Sequence, residues 1–427
     1  MCYCFGSDAC LRTYGFCKSP TKWFRLRSSN LILRTLGLMG CLIALAPIAG
    51  AERVTVEQLK QKLSAPLPPI EQSSVPVALL QDARMATRLD NLQLTERLTP
   101  ATMESITAQF KFGIKSKQSL QLLADRSALL EPPASELPDQ LPPGADQQKQ
   151  MLDATRTFVF KTLMRLPNFF ATRTTYRFLG IPVELNQTGF PVYVGLHPRG
   201  SYSREVTYRN GKEVLDPMKA SSTDASPSHQ GVARWTQSGF ETWGEFGPEP
   251  VVILMDAENG TMGFHHWERG AHWERGAQGL VAVFRFSVAA EDSHFEVNYA
   301  CNYSNSFHAQ PAYHGSLAID PVSGAIMRIA LEAESKPDDP ISHVASVIEY
   351  GPVEIGGRTY ICPVRSLAFS VEDSDACAVP GHNRRQVQPM LLNRTTFTDY
   401  HRLGSTARII ADPAEVKESP QKPGPQR

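Results

Sequence analysis

The stretch AIMRIALEAE, residues 325–334, decides how the fold is read. Ile326, Arg328, Ala330 and Glu332 alternate with Met327, Ile329, Leu331 and Ala333. Successive side chains of a strand point to opposite faces, so one face here is apolar and the other mixed, as in a sheet covered on one side. Just upstream, Asp320-Pro321-Val322-Ser323-Gly324 is a run of turn residues that joins this strand to AYHGSLAID, residues 312–320.

Working outward, the same texture runs from about residue 168 to 410. In REVTYRNGKEVL, Asn210-Gly211 separates two β-rich runs, the signature of a two-residue hairpin whose central positions need positive φ. VVILMDAENGTMGF, residues 251–264, has the same look around Asn259-Gly260. GLVAVFRFSV, HFEVNYACNY and HVASVIEY read as strands, Gly356-Gly357 turns between PVEI and RTYICPV, and NRTTFTDYHRL is the last strand. Ahead of them, QQKQMLDATRTFVFKTLMRLP places Leu152, Val159, Leu163 and Leu166 on one helical face and stops at Pro167. That helix is the natural cover for the sheet.

Residues 52–130 read as a helical domain. Thr55 with Gln58 forms a capping box ahead of Val56, Leu59 and Leu63, and Thr99-Pro100 opens another helix. VALLQDARMATRLDNLQL and KSKQSLQLLADRSALL continue the helical spacing. Residues 131–146, EPPASELPDQLPPGAD, carry five prolines and a glycine, which marks a linker or extended strap. The expected fold is therefore α+β: a helical region, then residues 147–410 as a curved antiparallel, half-barrel-like sheet with a leading helix, then a disordered tail from 411 to 427.

The YRNGKEV hairpin, the DPVSGAIMRIAL strand pair and the late TFTDYHRL strand, following a helix, resemble the periplasmic lipoprotein-carrier and sigma-factor-regulator superfamily. The resemblance is one of pattern over residues 147–410. It implies an open half-barrel around helices, whose concave apolar surface holds acyl chains or a lipoprotein segment. The chain is also similar to exported bacterial proteins of the same layout, a likeness that implies no activity.

Export has its own signal. Residues 23–54 run from basic residues through an apolar stretch, Leu36 to Ile48, to Ala49-Gly50-Ala51, a signal peptide with cleavage expected after Ala51. An apolar run of about thirteen residues is too short for a stable membrane anchor, which needs about 20. Leu38-Met39-Gly40-Cys41 is similar to a lipoprotein signal, but apolar residues continue past Cys41, which disfavours lipidation. The periplasm or the extracellular space is the expected location. Residues 1–22 precede the signal and fit a mis-called translation start; they hold Cys2, Cys4, Cys10 and Cys17. Past the signal remain Cys301, Cys362 and Cys377, an odd number that allows at most one internal bridge and does not choose the pair.

The 43 basic and 43 acidic residues balance overall. Six of those bases but one of those acids lie in the first 51 residues, so the rest carries five more acids than bases, which argues against nucleic acid as a partner. The sequence has no Gly-x-Ser-x-Gly elbow, His-Glu-x-x-His or Walker loop, nor a Cys-x-x-Cys past the signal. No catalytic residue, cofactor or metal ligand is assigned on this basis.

Residues 265–277, HHWERGAHWERGA, repeat HWERGA back to back. Were the segment extended, His266, Glu268, His272 and Glu274 would share a face and offer ligands to zinc. Gly270 and Gly276 break a strand, however, and six added residues preserve the alternation of flanking strands, so a duplicated surface loop is the preferred reading. Trp267 and Trp273 would then offer an aromatic contact surface at most. GFETWGEFGPEP, residues 239–250, joins Trp235 in supplying Phe240, Trp243 and Phe246 as candidate lining of a ligand pocket, with plain core packing as the alternative. Asn186, Asn259, Asn302 and Asn393 sit in glycosylation-acceptor triplets.

Together these features point to an exported, non-enzymatic protein that binds an apolar small molecule, an acyl chain, or a lipoprotein or peptide segment in the concave face of the β domain. Two alternatives stay open. One is a secreted hydrolase with a scattered site built on His294, His308 and His314; the other is a cell-envelope scaffold whose helical domain binds another protein.

Overall fold

The computed structural model describes residues 51–67, 74–180, 182–185, 191–193, 195–215, 239–270, 279–300, 306–336, 339–372 and 389–404. The signal segment, Trp235, Trp273, His272, Cys301, Cys377, Asn186, Asn302 and the tail lie outside these residues.

The helices begin where their caps say they should. α1 (Val56–Ser64) carries the capping box of Thr55 and Gln58, with bonds of 2.9 and 3.1 Å, and buries Val56, Leu59 and Leu63. α2 (Val77–Asp90) follows, and α3 (Pro100–Gln109) starts with Thr99 accepting from the Thr102 amide. α4 (Ile114–Arg126) completes the helical layer, whose own core joins Leu59, Leu89, Ile106, Leu120 and Leu123. Two three-residue strands, β1 (Glu52–Val54) and β2 (Leu92–Leu94), pair in parallel inside it. The proline-rich strap does pack as a strap. Glu136 accepts from the hydroxyls of Thr99 and Thr102, and Trp267 Nε1 donates to the Leu141 carbonyl at 3.0 Å.

α5 (Ala145–Thr157) continues through a π turn at Phe158–Thr162 and a 3-10 turn at Leu163–Arg165, burying Val159, Leu163 and Leu166 as the spacing predicts. The strands follow: β3 (Phe169–Gly180), β4 (Pro182–Leu185), β5 (Pro191–Tyr193), β6 (His197–Arg209) and β7 (Lys212–Leu215). After helix α6 (Pro248–Asp256) come β8 (Thr261–Arg269), β9 (Leu280–Val288), β10 (Val297–Ala300) and β11 (Ser306–Ala309). β12 (Tyr313–Ile319), β13 (Ile326–Ala333), β14 (Ile341–Ile355), β15 (Arg358–Glu372) and β16 (Met390–Arg402) complete the order.

The α+β expectation holds. Ten strands form one antiparallel sheet in the order β7-β6-β3-β16-β15-β14-β13-β12-β9-β8. The sheet is open, neither closed nor strongly curled. The Asn210-Gly211 hairpin is present, with φ of 52° and 78°.

Three readings need correction. VVILMD is not a strand but most of α6: Pro248 occupies its first turn and Ile253 and Leu254 face the core. A short apolar run has no periodicity that separates a buried helix from a buried strand, and Pro248 at a helix start was the available cue. Nor is the sheet covered on one side only. On one face Val159, Phe240, Ile253 and Leu254 pack on Phe284, Leu317, Ile329, Leu331 and Ile348. On the other, Leu122 and Ala128 of the helical layer pack on Ala330, Val347, Leu367, Phe369 and Leu392. The alternation in β13 also slips: Ala318 pairs with Arg328 but Ile319 with Ile326, so Met327 is an extra residue and Ile326 joins the Ile329 face.

The face under the helices is charged as well as apolar. Arg365 bonds Glu349 in a two-pronged contact of 2.8 and 3.0 Å and reaches Asp125 of α4 at 3.0 Å. Arg394 reaches the other Asp125 oxygen at 3.1 Å, and Gln121 donates to the same carboxylate at 2.8 Å. Arg328 donates to the Ala128 carbonyl, and Arg97 meets Glu268 at 2.5 Å. Asp125 is fully buried, so its charge is offset by those guanidiniums rather than by water.

Three substitutions test this architecture. Asp125→Ala leaves Arg394 without its carboxylate and Arg365 with Glu349 alone, and is expected to lower unfolding free energy by about 3–5 kcal/mol in a denaturant titration. Gly324 has φ +72° and a Cβ there would lie 2.3 Å from Ala154 of α5, whereas Gly357, at φ +79°, faces open space. Gly324→Ala is therefore expected to shift the urea midpoint well beyond Gly357→Ala, which carries only the roughly 1–2 kcal/mol backbone cost. Equal shifts would remove the packing argument.

Candidate functional site

Four groupings of polar residues bear on function, and each is built by a different local accident of the chain. The first is a cleft between α5, α6 and the start of β8. Leu152 and Arg156, four apart on α5, share a helical face; Leu254, Ala257 and Glu258 come from the end of α6, and Gly260 and Met262 lead into β8. The cleft holds about 310 Å³, near the lower end of small-molecule sites. Leu152, Leu254 and Met262 supply its apolar lining. The Arg156 guanidinium, also part of the lining, lies 3.2 Å from Asp153 and 3.6 Å from Glu258. Gly260 lets the chain run close against β9, because a Cβ there would lie 2.3 Å from the Ser287 carbonyl.

The aromatic residues singled out in sequence do not line this cleft. Phe240 packs in the core of the central strands, Phe246 in a separate cluster with Phe169, Tyr208 and Phe397, and Trp243 is half exposed. Trp235 falls outside the described residues.

The segment around them builds the second grouping, a buried acid cluster. Glu245 accepts from the Thr242 hydroxyl at 2.5 Å and from Ser366 at 3.2 Å, with Arg173 3.6 Å away. Arg173 donates to the Thr242 carbonyl at 2.7 Å, and Ser346 donates to Glu249 at 3.3 Å. Burial first, then the Glu245 charge, push both Glu213 and Glu249 up to about 8. This cluster fastens residues 240–250 to the sheet. Glu245 and Glu249 are buried, and their bonds to Ser366 and Ser346 anchor the segment.

Third, Asp256 at the end of α6 is fully buried and takes three hydrogen bonds: from the His294 amide at 2.8 Å, the His294 Nδ1 at 2.6 Å and the Tyr313 hydroxyl at 2.8 Å. Burial, then the bond to Asp256, raise the Tyr313 pKa, so the phenol stays a donor. The His294 ring is 67% exposed. An imidazole oriented by a buried carboxylate is half of a nucleophilic triad. Among the described residues, no hydroxyl or thiol is hydrogen-bonded to that ring. His308 pairs instead with Asn298 at 2.7 Å, and His314 lies 4.0 Å from Glu334. The structure thus gives each of the three histidines its own partner. Cys362 is a fully buried free thiol that burial pushes up to about 12, which makes it unreactive. Asn393 is buried in β16, closed to glycosylation.

Fourth, His266 to Arg269 of the first copy of the repeat are the end of edge strand β8, and the second copy lies wholly outside the described residues. There His265, His266 and Glu131 converge, with one donor atom of each within 4.8 Å of the others. The sequence favours a duplicated surface loop here and offers His266 and His272 to a metal only as an extended segment; Glu131, 134 positions before His265, carries no local signal of this role.

Compared with protein-family models, curated proteins and solved structures, the chain matches none.

The acid cluster makes a pH prediction. Glu249, whose ordinary value is 4.5, keeps its proton in the folded chain up to about 8 while the unfolded chain has lost it. The folded state therefore binds more protons between those values, and stability falls as pH rises from about 5 to 8, by up to about 1.4 kcal/mol per pH unit per group. Glu249→Gln is expected to flatten that slope in urea titrations at pH 5, 6.5 and 8. An unchanged slope would mean Glu249 is ionised in the fold.

Proposed function

We propose that the chain is an exported, non-enzymatic binding protein whose ligand is an apolar molecule with an anionic end, such as a short acyl chain. Its seat is the cleft between α5, α6 and β8. The observation that carries this reading is the mixed lining of the cleft, where the apolar Leu152, Leu254 and Met262 share the space with the Arg156 guanidinium. Leu152, Leu254 and Met262 would contact the apolar part of the ligand, and the guanidinium would orient the charged end. The location differs from the concave sheet face suggested by the sequence, because both faces of the central strands are filled by packed layers. The basic-then-apolar N-terminal run ending in Ala49-Gly50-Ala51 supports export.

A hydrolase reading has one observation in its favour, the Asp256 carboxylate that orients His294. The pair has no hydrogen-bonded nucleophile among the described residues, so the binding reading is preferred.

The test is native mass spectrometry of the full chain before and after organic extraction, followed by titration with a fluorescent acyl probe. Saturable binding of one probe per chain is expected. Ala257→Trp, which fills the cleft, should abolish it, and Arg156→Gln should weaken it roughly tenfold or more, the worth of a charge-assisted hydrogen bond. No probe binding, or equal binding by all three proteins, would overturn the reading.

A further inference from the structure

We propose that Glu131, His265 and His266 form a divalent-cation site, suited to zinc, that staples the proline-rich strap to the edge of the sheet. It is independent of the acyl-binding cleft. The site exists because β8 carries a bulge: Phe264 pairs with Phe284 and His266 with Val283, which leaves His265 as an extra residue. Adjacent side chains of a regular strand point to opposite faces, and a bulge undoes that. The two imidazoles consequently sit side by side, their ring centroids 4.6 Å apart.

Both rings meet one carboxylate oxygen. His265 Nε2 lies 3.7 Å and His266 Nδ1 3.8 Å from Oε2 of Glu131. An ion centred among three donors spaced this way lies roughly 2.4 Å or less from each, against the ~2.0–2.2 Å of zinc bonds to nitrogen and oxygen, so side-chain adjustments of tenths of an ångström close the site. Two imidazoles and a carboxylate are a ligand set zinc takes with a further position left for water.

The surroundings orient these ligands. Glu268 lies 2.9 Å from His266 Nε2 and is itself gripped by Arg97 at 2.5 Å. With the ring proton held on Nε2 by Glu268, the lone pair of Nδ1 points toward Glu131. A lone pair facing a carboxylate is favourable when a cation lies between them. This carboxylate–histidine arrangement is the usual outer support of a metal-bound imidazole. Arg285 occupies the other oxygen of Glu131, Oε1, and leaves Oε2 to the imidazoles. Glu131 opens the strap, and Trp267 holds the strap's far end through the Leu141 carbonyl. The repeat also separates this site from a simple histidine tract: the first copy is preceded by His265, the second by Ala271, so only one copy offers the adjacent pair.

The test uses the full chain stripped with a chelator and titrated with zinc by competition against a chromogenic chelator. Histidine-to-alanine changes are made at 265 and 266 together, and His272→Ala and Glu268→Gln separately. The double variant should bind one zinc fewer than the native chain and should lose the rise in thermal midpoint that zinc produces. His272→Ala should match the native chain, and Glu268→Gln should bind about 10–100-fold more weakly. Metal-free melting of each variant, and the single His265→Ala change at a half-exposed position, separate loss of the site from loss of the fold. Native stoichiometry and affinity in the double variant, or loss of the ion through His272→Ala alone, would overturn the proposal.

Discussion

The structure hangs on one buried carboxylate. Asp125 stands at the end of α4 with no exposure and faces two guanidiniums projected from neighbouring strands. A carboxylate in such a place is costly unless each oxygen has a partner, and here Arg365, Arg394 and Gln121 supply them. The apolar contacts of Leu122 and Ala128 with the sheet would tolerate sliding, since burial is not directional. The ionic contacts do not, because a shift of one residue on α4 would take Asp125 away from both arginines. Arg394 is fixed in turn by the rings of Tyr176 and Phe178, each 5.2 Å from its guanidinium carbon. The helical layer is thereby placed in register with the strands below it, and everything that depends on that register follows, including the approach of the strap to β8.

What was legible in the chain was what local rules govern. The Thr55–Gln58 box, the Thr99-Pro100 start, the Asn210-Gly211 turn and the run of alternating strands all act over a few residues, and all appear where they were read. VVILMD was misread because its helical state is decided by the sheet it lies on, not by its own pattern. The second covered face escaped notice for a related reason. Arg328, Arg365 and Arg394 look solvent-facing in a strand, yet their partners across the interface are residues 125 and 128, at least 200 positions earlier. Ionic cover across such distances leaves no period in the sequence.

The sites obeyed the same division. The histidines of residues 265–277 were visible as a dense group, but their geometry depends on a one-residue bulge against β9 and on a glutamate in the strap. Bulges are set by how two strands must bend together, which neither strand states alone. The aromatic group at 240–246 was visible too, and most of it serves packing, with Phe240 and Phe246 in separate clusters beside a buried acid network. The cleft between α5 and α6 was hidden for the plain reason that one of its walls was assigned to a strand.

The strand order carries a consequence for how the molecule is made. β16, the last of the described strands, lies between β3 and β15. Until a ribosome has released residue 402, the sheet's other described strands form two separate fragments, three strands on one side and six on the other, each with an unpaired edge. The central seam is thus the final one sewn, and it joins residues more than 200 positions apart. Assembly of this sheet is a late event by construction, and the growing chain is most exposed to wrong edge pairing just before β16 emerges.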